Sequence, residues 1–310
     1  MTHQRAVLLQ LCPFSDHLEA ALAQRFEVIR WFGLNDAERS AWLRESAAAV
    51  RAVVTGGHVG CDNALMAALP ALGVIAVNGV GVDKVDLRFA HSRGVRVGTT
   101  PGALTEDVAD LAVGLIIGLL RGIPAADAYV RAGEWPKGDR PLGRKVSGRR
   151  FGVVGLGQIG SALATRLAPF GAVAYTSPQP KSAPYEYHAD ALSLARACDI
   201  LILTCPATAA TRQLANAAVF DALGPDGYLI NVARGSVVDQ EALIAALHTG
   251  RLGGAALDVY EDEPNVPEAL RRCANVVLTA HMASATVETR IRMADMVLTH
   301  LDACMSGLGS

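Results

Sequence analysis

Six residues at mid-chain, Gly155-Leu156-Gly157-Gln158-Ile159-Gly160, constrain this chain more than any others. They follow an apolar run over 151–154 and precede a helix-like stretch over 161–170. That is the strand, tight turn and helix that a dinucleotide site requires. Gly155 permits the turn, Gly157 lets the backbone approach a pyrophosphate, and Gly160 lets helix and strand pack closely. Gln158 and Ile159 of the turn are further cofactor-site candidates, and the N-terminal amides of the following helix face the phosphates. Most such domains begin at the N-terminus. Here about half the chain comes first, so a second domain is expected there, and it is expected to bring the substrate.

The 310 residues suffice for two domains, and a composition 51% hydrophobic and 19% charged allows a sizeable core. A net charge of -2 leaves no electrostatic footprint for nucleic acid or an anionic membrane. The longest apolar run in the middle, 111–120, is too short to span a bilayer. The apolar start over 5–11 lacks a cleavage signal and reads as a buried strand, so a cytoplasmic protein is expected. Cys12, Cys61, Cys198, Cys205, Cys273 and Cys304 are scattered without CxxC or metal-ligand spacing. They read as small core residues in a reducing compartment, and no metal site is expected.

Short β-like runs alternate with helix-like runs from end to end, the pattern of an α/β protein with parallel sheets. Strands are predicted over 6–11, 27–31, 52–55, 74–78 and 95–98, with helices over 16–25, 36–46, 63–69 and 86–92. A long apolar helix follows over 105–120, then a second over 122–135 and a basic stretch over 136–150. Further strands are predicted over 151–154, 172–175, 200–204, 228–231, 254–259 and 276–279, and a last helix over 287–305. That helix lies beyond the last strand of the second domain and can return to the first. The expected fold is therefore two doubly wound parallel-sheet domains. A discontinuous domain, 1–99 with 284–310, surrounds an inserted Rossmann-like domain, 100–283. The tail 306–310 is expected to fray.

The residue that selects the cofactor is missing. NAD sites carry an acid about 20 positions after the fingerprint to hold the ribose 2′-hydroxyl. From Arg140 through Tyr185 there is no Asp or Glu. The strand ends Tyr175-Thr176-Ser177, followed by Pro178-Gln179-Pro180-Lys181. Hydroxyls and a lysine can bind a 2′-phosphate that a carboxylate would repel. NADP(H) is favoured, with NAD(H) as the alternative if the loop tolerates both. Ser177 and Lys181 would carry the recognition, Thr176 beside them, with Arg150 or Arg166 as helpers of unknown direction.

Three late segments carry ionisable groups, each after a predicted strand: 231–236 with Arg234, 257–264 with Asp258 and Glu263, and 279–284 with His281. The C-terminal ends of strands are where open α/β sheets bind ligands. Beside a hydride donor a cation must polarise a carbonyl, an acid must protonate the developing alkoxide, and a carboxylate must orient that acid. Arg234, His281 and Glu263 fit those roles. Taken singly, each also reads as an ordinary structural residue. Together, behind a dinucleotide site, they read as a reduction site.

At these segments the chain resembles the D-isomer-specific 2-hydroxyacid dehydrogenase family over nearly its whole length. The resemblance rests on NGVGVDKVDL (78–87), TPGALTEDVADLAVGLI (100–116), GLGQIG (155–160), NVARGSVVD (231–239), GGAALDVYEDEP (253–264) and TAHMASATVETR (279–290). It implies a flavodoxin-like substrate domain, a Rossmann-like cofactor domain, an active site in the cleft between them, and a homodimer built through the cofactor domain. It implies that Arg234 holds the substrate, that His281 is the acid/base and that Glu263 is its partner. It gives the substrate carboxylate to the backbone amides of Val80 and Gly81, with Gly57 also in the substrate site. It places Asp258 near the nicotinamide amide and Val232 along its ring. It adds Val108, Cys205, Pro206, Thr211, Ala233 and Ala283, with His281, to the cofactor site. Several stretches, among them CDILILTCPATAATR and ASATVETR, look most like NADPH-dependent glyoxylate/hydroxypyruvate and hydroxyphenylpyruvate reductases.

The chain departs from that pattern in places. Pro178 replaces the usual arginine after Ser177, Ala280 replaces the usual proline before the histidine, and members often carry a longer C-terminus. Substrate choice is expected from first-domain loops such as 55–60, whose glycines let the backbone approach a ligand. His58 either contacts the distal end of the substrate or is a surface-loop histidine. Trp135 either reaches a partner's active site or only packs a dimer, and Met282 is a candidate apolar wall. No arginine cluster suggests a phosphate-bearing substrate, and no regulatory domain is expected after 310. The expected activity is NADPH-dependent reduction of a small 2-oxo acid such as glyoxylate or hydroxypyruvate. The alternatives are NAD-dependent chemistry on another hydroxy acid and a nucleotide-sensing protein on the same fold.

Overall fold

In a computed structural model of the chain, residues 5–306 are described, with side chains of the last helix described to Ala303. The tail expectation beyond Ser306 and the thiol of Cys304 lie outside the described residues. The chain divides into two compact units, one of residues up to Leu104 and from Ala285 onward, the other Thr105–Ser284. The division falls five residues later than the expected 99/100 boundary. Thr100 explains this, because its N–H donates to Gly79 O and keeps the exiting chain on the first sheet.

The first unit alternates β1 (Val7–Gln10), α1 (Asp16–Arg25), β2 (Glu27–Arg30), α2 (Asp36–Ser46), β3 (Val50–Gly56), α3 (Asn63–Ala68), β4 (Val74–Asn78), α4 (Leu87–Ser92) and β5 (Arg96–Gly98). Its strands are all parallel in the order β2-β1-β3-β4-β5, the flavodoxin-like order. Alternating strand residues face opposite layers. Leu8, Ala52, Val54, Val74 and Ala76 pack on Leu18 and Leu22 of α1. Leu9, Val53, Ile75 and Val77 pack on Met66 and Leu69. The boundaries of α2 match the expectation because Asn35 caps it. Its side chain accepts from the amides of Ala37 and Glu38, and Glu38 accepts from the Asn35 amide.

The second unit holds α5 (Thr105–Arg121), α6 (Ile123–Arg131), β6 (Phe151–Val154), α7 (Gln158–Leu167), β7 (Val173–Thr176), β8 (Glu186–His188), α8 (Ala191–Ala197) and β9 (Ile200–Leu203). There follow α9 (Ala217–Leu223), β10 (Tyr228–Asn231), α10 (Gln240–His248), β11 (Gly254–Leu257), α11 (Glu268–Arg271) and β12 (Val276–Leu278). The last helix, α12 (Val287–Ser306), belongs to the first unit, where Ala294, Val297, Leu298 and Leu301 complete the core beside α1. The second sheet is parallel throughout, in the order β12-β11-β10-β9-β6-β7-β8. Strand order reverses between β6 and β9, so the crevice for a ligand opens there. Leu201, Leu203, Leu229 and Leu257 pack on Leu194, Phe220 and Leu243 on one face. Val153 and Tyr175 pack on Leu156 and Ala164 on the other.

The predicted strands recur within two residues at each end. The strand β8 was not foreseen, because Glu-Tyr-His shows no apolar alternation. The helix predicted over 122–135 ends at Arg131, where Gly133 takes a φ of +70°. Cys12, Cys61, Cys198 and Cys205 are buried thiols, and burial pushes them up to about 11, 12, 12 and 11. No single helix among the described residues is long and apolar enough to cross a membrane.

Candidate active site

The fingerprint turn of the second unit is shaped for a phosphate. Gly155 takes a φ of +95°, and a Cβ there would lie 2.8 Å from Cys205 Cα. A Cβ on Gly160 would lie 2.1 Å from Gly155 O, so only glycine lets α7 pack on the end of β6. Gly157 differs, since nothing lies within 4 Å of its Cβ position. It caps α7 without a side-chain hydrogen bond, which leaves the first amides of the helix, at Gln158 and Ile159, without a side-chain cap. A close-packed turn with an open, amide-lined mouth fits a dinucleotide pyrophosphate.

The neighbouring loop is braced to keep that mouth open. Thr204 Oγ1 donates to Val154 O (3.1 Å) and Gly155 O (2.8 Å). Cys205 is buried against Gly155, and Thr211 Oγ1 donates to Pro206 O at 2.7 Å. Val108 is buried in α5, and Val232 and Ala233 are buried at the end of β10. At the end of β7, Thr176 O accepts the Gly155 amide at 2.8 Å. Ser177 Oγ donates to Gln179 O at 2.6 Å, and the Tyr175 hydroxyl closes the loop by accepting from the Lys181 amide at 2.7 Å. Lys181 is thereby held in the loop after β7, and it is exposed.

The two helper arginines are a correction. Arg150 sits at the opposite end of β6, where Asp199 binds it at 2.7 Å. Arg166 points from α7 to Glu106 and Asp110 of α5, at 2.5 and 2.6 Å. Both are held by carboxylates that raise their pKa, and both serve packing between elements.

Three strand ends assemble the ionisable groups. After β10, the buried Asn231 donates to Arg234 O (3.0 Å) and accepts from the Ala233 amide (3.0 Å), folding the loop that carries Arg234. Arg234 itself donates to Ala233 O at 2.8 Å. A Cβ on Gly235 would sit 1.9 Å from Tyr260 O, so this loop presses directly on the segment after β11. In that segment the Tyr260 amide donates to Glu263 Oε1 at 3.0 Å, which aims the other carboxylate oxygen. Glu263 Oε2 meets His281 Nδ1 at 2.7 Å. The carboxylate thereby sets the orientation of the His281 ring.

Asp258 shows a role that the sequence reading missed. It is 1% exposed, and its carboxylate accepts from Thr279 Oγ1 (2.6 Å), the Met282 amide (2.9 Å) and the Ala283 amide (3.0 Å). Its backbone carbonyl accepts the His281 amide at 2.8 Å. Asp258 therefore clamps the whole loop over 279–283 and holds His281 at a φ of +49°. The Tyr260 hydroxyl adds to the clamp, donating to Thr279 O at 2.8 Å. Burial, then the negative charge of Asp258, push that phenol up to about 12. The sequence signal was a buried-strand acid followed by an aromatic in Leu257-Asp258-Val259-Tyr260, but its partners lie more than 20 residues away.

In the first unit, the loops after β3 and β4 lie side by side, since a Cβ on Gly79 would come 3.6 Å from the Gly57 amide nitrogen. Gly57, Val80 and Gly81 thus share the C-terminal edge of that sheet. Val80 and His58 are exposed, as are Met282 and Trp135 in the second unit. No group of three or more His, Cys, Asp or Glu side chains suited to a metal occurs among the described residues.

Comparison with known proteins agrees with this fold. Residues 113–283 match the family described as D-isomer specific 2-hydroxyacid dehydrogenase, NAD binding domain. The chain is 46% identical to glyoxylate/hydroxypyruvate reductase A of Arabidopsis thaliana over 97% of its own length and 96% of that protein. It is 47% identical, with the same coverage, to hydroxyphenylpyruvate reductase of Plectranthus scutellarioides. Among solved structures it is similar to the NADPH-dependent glyoxylate/hydroxypyruvate reductase of Sinorhizobium meliloti in complex with NADP and malonate. That likeness has a TM-score of 0.90 and 41% identity, covering 98% of this chain and 94% of that one.

Proposed function

Because the chain belongs to the D-isomer specific 2-hydroxyacid dehydrogenase family, we propose that it reduces small 2-oxo acids to D-2-hydroxy acids with NADPH, glyoxylate and hydroxypyruvate being the expected substrates. The observation that carries this reading is the His281–Glu263 hydrogen bond, 2.7 Å, on the strand-end edge that also bears Arg234 and the open fingerprint turn. When bound, the nicotinamide supplies a hydride to C2 of the 2-oxo acid. The α7 amides at Gln158 and Ile159 and the turn glycines hold the pyrophosphate. Val232, Ala233, Cys205, Pro206, Thr211, Val108 and Ala283 line the rest of the dinucleotide, and Asp258 fixes the loop beside its nicotinamide.

The substrate's carboxylate takes the backbone amides of Val80 and Gly81, with Gly57 close by. Arg234 polarises the keto oxygen. As the C=O electron pair moves onto that oxygen, His281 delivers a proton to it from the ring nitrogen opposite Glu263. Glu263 holds the imidazole in the orientation that permits this. The products are the hydroxy acid and the oxidised dinucleotide.

The NADPH preference rests on the 176–187 segment, whose one basic side chain is Lys181 and which has no acid before Glu186. The S. meliloti relative with bound NADP supports it. The chain is further proposed to act as a cytoplasmic homodimer paired through the second unit, where Ile123, Val130, Trp135 and Leu142 are exposed apolar residues. A panel of glyoxylate, hydroxypyruvate and hydroxyphenylpyruvate run with NADPH and with NADH tests the reading. The expected result is a higher kcat/KM with NADPH, and a preference lowered by about tenfold in Lys181→Ala. Equal use of both cofactors by the wild type would overturn the cofactor part. Tight nucleotide binding without turnover of any 2-oxo acid would overturn the whole.

A further inference from the structure

Arg290 stands apart from the other arginines. It lies in the first turn of α12, half-buried, four residues before Ala294. Ala294, Val297, Leu298 and Leu301 pack in one cluster with Val74 and Ala76 of β4. Helical spacing puts Arg290 on that same stripe, at its N-terminal end. Strand alternation puts Asn78 on the same layer as Val74 and Ala76.

Two hydrogen bonds fix the direction of the helix. His300 Nε2 meets Thr99 O at 2.8 Å, and Thr289 Oγ1 donates to Ala103 O at 3.2 Å. The chain leaving β5 therefore runs alongside α12 toward its first turn. Arg290 lies beyond the C-terminal ends of the strands, on the edge that carries Gly57, Val80 and Gly81.

Three polar groups along this edge have no partner among the described residues. They are the Arg290 guanidinium, the buried Asn78 Oδ1 and the hydroxyl of the fully buried Thr100. Arg150 and Arg166 are neutralised by acids. Loss of water lowers the pKa of Arg290, and no carboxylate offsets it. A half-dehydrated guanidinium without an anion is costly to keep. A planar carboxylate would recover that cost through a bidentate pair.

We propose that Arg290 is a second substrate-binding arginine, which holds the carboxylate of the 2-oxo acid together with the Val80 and Gly81 amides. The inference rests on the 2-oxo acid reading above and assigns that substrate's charge a partner in the first unit. Charge neutralisation there comes from a side chain, where backbone amides alone supply only partial charges. A substrate lacking the carboxylate, such as an aldehyde, gains nothing from Arg290.

Oxalate, a planar dianion of 2-oxo acid shape, is the probe. Its binding to the NADPH-loaded full chain is titrated calorimetrically for wild type, Arg290→Gln and Arg290→Lys, alongside KM for glyoxylate and Kd for NADPH. Arg290→Gln is expected to weaken oxalate and raise KM by at least about tenfold, with NADPH affinity retained. Arg290→Lys keeps the charge but loses the fork, and should fall between. Oxalate affinity and KM within about twofold of wild type in Arg290→Gln would overturn the proposal. If that variant fails to fold, an unchanged oxalate affinity in Arg290→Lys would overturn it instead. Failure of the 2-oxo acid reading shows separately, as absent turnover by the wild type, and the oxalate titration still judges Arg290.

Discussion

Asp258 is the residue whose removal separates clamp from chemistry. Three donors converge on its buried carboxylate, all from the loop that carries His281. Asp258→Ala leaves those donors unpaired, at about 1–3 kcal/mol each where they stay buried. The expected outcome is a loss of at least about 3 kcal/mol in unfolding free energy together with a fall in kcat. Asp258→Asn keeps one acceptor oxygen and should fall between, with urea unfolding as the check. If Asp258→Ala unfolds like the wild type, the clamp is not load-sharing and its hydrogen bonds are incidental. At this scale the sequence was partly legible. Arg234, Glu263 and His281 stood out because chemistry needs those residue types after strands. The clamp did not, because its bonds join residues 21 to 25 apart. Arg150 and Arg166 were misjudged because a sequence carries charge but not side-chain direction.

At the scale of elements, the strand-turn-helix over β6 and α7 makes two glycines do different work. Gly160→Ala drives a Cβ into the Gly155 carbonyl at 2.1 Å, a rigid backbone atom, so the unit must distort. Gly157→Ala meets nothing within 4 Å. The expected outcome is that Gly157→Ala melts like the wild type yet binds NADPH at least about tenfold more weakly, the added methyl standing where phosphate approaches. Gly160→Ala should lose about 1–3 kcal/mol of stability as well. Thermal melts and nucleotide titration separate the two, and a Gly157→Ala variant of normal affinity would remove the phosphate from this turn. The boundaries of α2 were legible, with Asn35 as its cap, whereas the capped helices α8, α9 and α10 were not predicted. The short β8 was not, because its pairing with β7 owes nothing to an apolar pattern.

At the scale of the molecule, the mid-chain fingerprint foretold a second sheet before it, and the first unit supplies one in the flavodoxin-like order. That much follows from alternation along the chain. Assembly does not, because exposed apolar residues cannot be told from core residues until the fold is known. Ile123, Val130, Trp135 and Leu142 are then left on the surface of the second unit, Leu142 at 99% exposure. Burying such residues in a partner is worth about 1.5–3 kcal/mol apiece. Sedimentation is expected to give twice the chain mass, and Val130→Asp with Leu142→Asp to give a monomer. A wild-type monomer at micromolar concentration would refute the paired state.

His281 as proton donor to a 2-oxo acid is tested most directly by one comparison. NADPH oxidation with glyoxylate is followed for the wild type and for His281→Ala, with NADPH affinity measured for both. The predicted result is steady turnover by the wild type, a kcat lower by about 10²–10⁴ in the variant, and unchanged NADPH affinity. Equal rates for the two proteins, or a wild type that binds NADPH and reduces nothing, would contradict it.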